Sequence, residues 1–489
     1  MQPEAFREIL RQHASHLPQP LALRGDTRRY TYAQLLAEVE RRENLLRAEP
    51  DGVLALGQDN SPEALIWDLA ALFSRRPCLI LPPFFSPAQR AHCLEQCQVR
   101  LAVLDAGFAD ELESAGFQSD GTFWRKSGQG QAALPAGTLK VTYTSGTTGQ
   151  PKGVCLGADA LLRVAHELEV ASRPCAPAHY LAVLPMAVLL ENLGIYAALL
   201  AGACVTLLPQ RQMGIQGASG VDWPKLLASV VLSSAQSLIL VPQLLLGLVT
   251  AIERGHLGAA QFRFVAVGGA RVSSDLLARA ARVGLPVFEG YGLSECASVV
   301  CLNHPGAVRP GSVGQPLPHV QVRLADDGEV LVSGSTLLGY LGEAPFAGDW
   351  WPTGDLGEFD ADGYLHLKGR KKHQFITSFG RNVNPDWVEA ELTQRGVIAQ
   401  AFVHGEGLPG NLALLWPLDP NCDGQALADA VACANAALPD YARVRAWHRL
   451  ATPFNAADGL LTSNGRLRRE AILARYRDTL LELQNEARP

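Results

Sequence analysis

The sequence predicts an α/β fold, and three features carry that prediction. Apolar, strand-like runs recur along the chain: VLALG at 53–57, CLILP at 78–82, LAVLD at 101–105, VTYT at 141–144, CVTLLP at 204–209, SLILV at 237–241 and FRFVAVG at 262–268. Helical patterns lie between many of them, the alternation expected of parallel sheets packed against helices. After about residue 310 the pattern changes. VQVRLADDGEVLVSG and DLGEFDADGYLHLKGRKKHQFIT read as short strands joined by Asp-Gly turns, so hairpins or a small barrel.

In chain order, Thr31 and Gln34 have the spacing of a capping box, opening a helix through about Arg47. AHCLEQCQVR carries His92, Cys93 and Cys97 without a second ligand pair at metal-site spacing, so a thiol-bearing helix is expected and not a zinc site. Residues 179–209 are mostly apolar, but Pro185, Glu191, Asn192 and Gly194 interrupt the run. A membrane helix needs about 20 predominantly apolar residues. Strand, helix, strand is expected there, and no transmembrane span. Beyond residue 373 alternating strands and helices suffice for a small α+β domain. The expected architecture is a large N-terminal domain of stacked α/β subdomains with a small β-barrel-like part, residues 1–371, then a small mobile α+β domain, residues 372–489.

The chain has 489 residues, 48% of them hydrophobic and 18% charged, which allows a large buried core and more than one domain. Net charge is −6 and there is no strongly basic block, which argues against a nucleic-acid partner. The charged N-terminal stretch MQPEAFREILRQH has no apolar segment of signal-peptide type. Scattered cysteines suit free thiols in a reducing compartment, so a cytoplasmic protein is expected.

VTYTSGTTGQPKGVCL, residues 141–156, has the look of a phosphate-binding loop. A Walker A loop requires G-x-x-x-x-G-K-[ST]. Counting from Gly146, the second glycine position holds Pro151, which has no N–H to offer, and the residue after Lys152 is Gly153, which has no hydroxyl. What remains is a hydroxyl-rich turn, Thr144-Ser145-Gly146-Thr147-Thr148-Gly149, followed by Lys152. Glycines let the backbone approach a ligand closely, and hydroxyls and an ammonium suit phosphate oxygens.

Four further stretches carry chemistry. VAVGGARVSSDLL places Gly268, Gly269 and Ala270 between a strand and a helix, where a flat ring could lie against the backbone. FEGYGLSECASVV offers Tyr291 for stacking, then Ser294 and Glu295. WPTGDLGEFD places Asp355 after a Thr-Gly turn, where one carboxylate could accept from both hydroxyls of a ribose. HLKGRKKHQFITSFGRNVNPDWVEAEL carries Arg370 in a basic cluster, within which Lys371 reads as a solvated charge.

Together these motifs, with LPDYARV and SNGRLRR near the C-terminus, resemble the adenylate-forming superfamily, the acyl- and aryl-CoA synthetases and their relatives, and among them the fatty acyl-CoA ligase group. The resemblance covers nearly the whole chain, in the family's order. It implies that Thr144, Ser145, Gly146, Thr147, Thr148 and Lys152 hold the ATP phosphates. Gly269, Ala270 and Tyr291 would sandwich adenine, Ser294 would touch the α-phosphate, and Glu295 would ligate Mg²⁺. Asp355 and Arg370 would hold the ribose, and Lys372 would be the hinge of the mobile domain. The implied reaction is attack of a carboxylate on the α-phosphorus of ATP, then transfer of the acyl group to a thiol. The thiol would be that of coenzyme A or of the phosphopantetheine on an acyl carrier protein. Carrier-protein loading and a non-catalytic nucleotide-binding paralogue are the alternatives.

Amino-acid-activating relatives place an Asp near LPMAVLLEN; this chain has Met186, Ala187 and Val188. A buried ammonium without a carboxylate is costly, so an α-amino acid is disfavoured. A small apolar carboxylic acid is expected, a fatty acid first and an aryl acid second. Met186, Val188, Glu191 and Gly292 are its expected pocket, with ASVV (297–300) and LILVPQLLLGLV (238–249) as apolar walls. One position departs from the family pattern. The tail motif's lysine is Arg466 here, after Asn464 and Gly465. Arginine keeps the charge but replaces a compact ammonium with a planar fork. Arg466 is expected to be functional in adenylation but suboptimal.

Overall fold

The computed structural model describes residues 1–128, 132–144, 151–216, 220–462 and 465–486. Two large sheets form a bigger N-terminal domain. In the first, strands Leu54–Gly57, Cys78–Ile80, Leu101–Leu104 and Thr138–Thr144 are parallel, and Lys152–Gly157 returns antiparallel beside Thr138–Thr144. In the second, Leu21–Arg24, His179–Leu181, Cys204–Thr206, Ser237–Leu240, Phe264–Val267 and Val287–Tyr291 are parallel. All the apolar runs singled out above are strands of these two sheets. They are buried on both faces by helices, which is why they read as continuous apolar stretches.

The local signals also hold. Helix Tyr32–Arg47 opens with the capping box: Gln34 N–H donates to Thr31 Oγ1 at 3.3 Å and Thr31 N–H to Gln34 Oε1 at 2.9 Å. The 179–209 region is strand His179–Leu181, helix Leu189–Leu200 and strand Cys204–Thr206. Among the described residues no helix is long and apolar enough to cross a membrane. Cys93 and Cys97 lie in and just after helix Pro87–Gln96, both fully buried. Of the two forms expected after residue 310, the hairpin form is the one observed. Val320–Leu324, Glu329–Gly334, Trp351–Phe359 and Leu365–Arg370 make a four-stranded antiparallel sheet.

A cluster of fully buried polar groups joins the two sheets. Lys140 Nζ donates to Asp68 Oδ1 (2.8 Å), Asn192 Oδ1 (2.5 Å) and Tyr196 Oη (3.2 Å). Asp68 Oδ2 accepts from Tyr196 Oη (2.6 Å) and Asn192 Nδ2 (2.9 Å). The charges are thus paired and hydrogen-bonded, the condition under which burial is tolerable.

The C-terminal domain is smaller. Ile398–His404 and Asn411–Pro417 pair antiparallel, and Val444–Arg449 lies parallel to the latter. Helix Pro385–Thr393 packs on this sheet, with Val388, Leu392, Val403, Ala413 and Leu427 in one apolar core.

Candidate active site

The site is assembled where the first two sheets, the four-stranded sheet and the C-terminal domain meet. Asp355 is its best-defined residue. It follows Gly354, whose φ of +72° favours glycine, and it is buried, 6% exposed. Tyr291 Oη donates to Asp355 Oδ2 at 2.7 Å, and Arg370 Nε lies 2.8 Å from Oδ1. Arg370 sits opposite Asp355 across the strand pair, and its Nη1 also donates to Thr353 O at 3.1 Å. Burial pushes the Asp355 carboxyl up, and Arg370 and the Tyr291 hydroxyl pull it back. Three of the residues expected around the nucleoside, Tyr291, Asp355 and Arg370, are thus one hydrogen-bonded and ion-paired unit.

Gly268, Gly269 and Ala270 follow strand Phe264–Val267, as expected. Gly269 has φ +80°, both it and Ala270 are exposed, and a Cβ on Gly269 would find only Val241 within 4 Å, at 3.8 Å. The neighbouring strand carries Glu289, a residue the sequence reading passed over. Glu289 pairs with Val267 across the sheet, and burial raises its carboxyl to about 7, with Arg271 opposing the shift.

Ser294 and Glu295 lie on the short turn Ser294–Cys296. Glu295 Oε1 accepts from Tyr340 Oη at 2.9 Å. Lys152 lies over the same Tyr340 ring, 4.9 Å from its centroid, with its Nζ 3.1 Å from Glu343 Oε1. Thr144 and Lys152 face each other across the strand pair. Ser145, Gly146, Thr147 and Thr148, assigned to the phosphates, lie outside the described residues. Tyr340 links the lysine to Glu295, and no sequence signal marks it, because it comes from a strand far along the chain.

Arg466 is carried by a tight turn. Its N–H donates to Thr462 Oγ1 at 3.1 Å, its carbonyl accepts from Thr462 N at 2.8 Å, and Gly465 has φ +76°. The guanidinium is solvent-accessible, yet protein crowds it on several sides, as in a wet cleft. That crowding lowers its proton affinity, and Arg370 lowers it further, while Glu295, Asp355 and Asp386 act in the opposite sense. Arg466 therefore lies within electrostatic reach of Arg370, Glu295, Asp355 and Asp386. Lys372, exposed overall, has its pKa lowered by partial loss of hydration, then by Arg370 and Arg466.

The residues expected to line the acid pocket divide. Val188 is half-buried and Met186 is buried, with Met186 N–H held by Asn60 Oδ1 at 2.7 Å. Glu191 is fully buried. It accepts from Tyr180 Oη (2.5 Å) and Leu184 N (2.9 Å), and burial raises its carboxyl to about 8. It braces the 182–188 turn from behind and offers no face to a ligand. Gly292 is required for packing, since a Cβ there would meet Ser298 O at 1.9 Å. In the 297–300 wall, Ala297 and Ser298 both have positive φ, 49° and 80°, and His319 Nε2 donates to Val299 O at 2.8 Å. Most of 238–249 is core, with Val241 the residue nearest the open face of Gly269.

Residues 10–342 match the family model for the AMP-binding enzyme, and residues 372–487 match that for the AMP-binding enzyme C-terminal domain. The chain belongs to the AMP-binding enzyme family. It is similar to the long-chain-fatty-acid–CoA ligase FadD15 of Mycobacterium bovis, 31% identical over 45% of this chain and 41% of that protein. It therefore matches less than half the length of that relative. It is also similar to the 2-succinylbenzoate–CoA ligase of Enterococcus faecalis, 28% identical over 77% of this chain and 78% of the other. The fold matches the crystal structure of the anthranilate CoA ligase AuaEII in complex with anthranoyl-AMP, with a TM-score of 0.80 at 18% identity. That match covers 98% of this chain and 100% of the other.

Proposed function

We propose that this enzyme activates an apolar monocarboxylic acid, foremost a fatty acid, as its acyl-adenylate and passes the acyl group to the thiol of coenzyme A. The observation that carries the reading is the Tyr291–Asp355–Arg370 unit, with Arg466 within electrostatic reach of it and of Glu295. Hydroxyl and guanidinium orient the Asp355 carboxylate as binding a ribose requires, and the exposed backbone of Gly269 and Ala270 leaves room for a flat ring. Both reactants are anionic, so the chain must position them and neutralise charge. Lys152, over the Tyr340 ring that bonds Glu295, and Arg466, within electrostatic reach of Glu295, bring positive charge.

A magnesium ion fits this site. Glu295 gives Oε1 to Tyr340 and, among the described residues, leaves Oε2 without a partner. Mg²⁺ characteristically takes one or two carboxylates plus substrate phosphates, and when bound it would neutralise phosphate charge. The carboxylate of the acid attacks the α-phosphorus, pyrophosphate leaves, and the thiol then displaces AMP from the activated carbonyl. Hinge motion at Lys372 would exchange the residues presented to the cleft between the two steps.

For the acid, the uncharged run Met186, Ala187 and Val188 gives no partner for an ammonium. Similarity to FadD15 favours a fatty acid. An aryl acid is the second reading, favoured by the 2-succinylbenzoate–CoA ligase, which aligns over more of the chain. A carrier-protein phosphopantetheine is the alternative acceptor. ATP–pyrophosphate exchange with a panel of fatty, aryl and α-amino acids tests this. Exchange is expected with fatty acids and absent with amino acids. Exchange with a free amino acid, and none with fatty or aryl acids, overturns it.

A further inference from the structure

Helix Pro385–Thr393 belongs to the C-terminal domain, yet its end is fastened to the nucleotide side of the cleft. Gln394, at the helix C-cap and 2% exposed, accepts from Ser273 N at 2.7 Å and donates from Nε2 to Arg271 O at 2.7 Å. Both halves of its amide are thus used on backbone groups of the other domain, and only one orientation of that amide matches a donor N–H and an acceptor C=O. The segment it grips begins one residue after Ala270. Two weaker contacts surround it: the Arg271 guanidinium lies 5.6 Å from the Trp387 ring centroid, and Arg395 is 3.9 Å from Asp275.

The same helix holds the tail. Arg469 Nη2 donates to Asp386 Oδ1 at 2.9 Å and to Glu389 Oε2 at 2.6 Å. The other Glu389 oxygen accepts from Val403 N at 2.8 Å, and the other Asp386 oxygen faces His373 Nδ1 at 3.2 Å, next to Lys372. Arg469 is three residues beyond Arg466, and the Arg466 turn closes on itself through Thr462. A continuous chain of contacts therefore runs from residues 271–273 through Gln394, the helix, Asp386 with Glu389, and Arg469 to Arg466.

We propose that Gln394 is a positioning residue for adenylation: by gripping the backbone of Arg271 and Ser273 it sets the C-terminal domain so that Arg466 enters the cleft. The inference rests on the reading of Arg466 given above. The grip is specific to this arrangement of the domains. When the smaller domain turns for thiol transfer, both hydrogen bonds must break, so the grip favours the first step and is released for the second.

The test uses the full chain with Gln394→Ala and Gln394→Glu, beside Arg466→Ala. The glutamate variant keeps volume but turns a carboxylate oxygen toward the Arg271 carbonyl, so it serves if the alanine variant folds poorly. Two half-reactions are measured with dodecanoic acid, or whichever acid of the panel exchanges fastest. They are pyrophosphate exchange and transfer of the acyl group from presynthesised acyl-adenylate to coenzyme A. Hydrogen exchange of the 271–276 backbone is followed in parallel. Exchange activity is expected to fall at least about tenfold, as misplacing a catalytic group by about an ångström does. Transfer should stay at the parent rate, and the Ser273 amide should exchange faster. Parent-level pyrophosphate exchange in both Gln394 variants beside a crippled Arg466→Ala overturns the positioning role alone. Equal loss of both half-reactions, or an unchanged Ser273 amide, also overturns it. Parent-level exchange in Arg466→Ala removes the reading of Arg466 and the chain of contacts with it.

Discussion

At Asp355 a single carboxylate is held on both oxygens, by Tyr291 and by Arg370, so its orientation is set before any ligand arrives. His319 does similar work for the wall of the cleft. It is 6% exposed, donates from Nε2 to Val299 O, and burial lowers its pKa to about 4. An unfolded histidine titrates near 6.5, so the folded chain favours the neutral ring. Its contribution is fully present above about pH 6.5 and is lost as pH falls toward 4, by roughly 3 kcal/mol at pH 4. Urea unfolding of the parent and of His319→Gln at pH 7 and pH 4 checks this. The parent should lose more stability than the variant over that interval. Parallel losses would mean that the buried ring does not control the acid limb.

These residues also show what the sequence makes legible. Asp355, Arg370, Tyr291 and Glu295 stand in short ordered motifs, and each motif carries its local backbone with it. Glu289 stands inside FEGYGLSECASVV, two residues before Tyr291, but nothing in the motif marks it; Tyr340 and Gln394 stand in no motif. They reach the cleft through strand pairing or domain contact between segments far apart in the chain. Glu191 was misleading in the opposite way: it lies in a segment expected to form the pocket, but the turn of the chain points its carboxylate inward to Tyr180.

Among the elements, the strand Thr138–Thr144 bears most directly on the site, because it ends at Thr144, which pairs with Lys152 on the neighbouring strand. The apolar runs made the strands legible through burial on both faces. Lys140, in the middle of that strand, gives no hint in the sequence that it is a core residue. It is 4% exposed and tied to Asp68 on helix Pro62–Phe73 and to Asn192 and Tyr196 on helix Leu189–Leu200. Lys140→Met would leave the Asp68 charge buried without its partner. The expected cost is about 3–5 kcal/mol, read as a lowered denaturation midpoint. A cost below about 1 kcal/mol would place the pair in contact with water and remove it as the fastening between sheets.

For the whole molecule, the central feature is that charged residues of both domains lie within electrostatic reach of one another: Asp355, Arg370 and Glu295 from the larger domain, Arg466 from the smaller. Family membership and fold agree with a site of this kind, and the chemistry it is proposed to perform has a distinctive atom balance. If a carboxylate oxygen attacks the α-phosphorus, that oxygen becomes the bridge of the acyl-adenylate. It must leave with AMP when the thiol takes the acyl group. The direct measurement is therefore turnover of an acid labelled with ¹⁸O in both carboxylate oxygens, in the presence of ATP, Mg²⁺ and coenzyme A, followed by mass spectrometry of the products. The account predicts AMP carrying one labelled oxygen and an acyl thioester retaining the other. Label in inorganic phosphate or pyrophosphate, with unlabelled AMP, would contradict it.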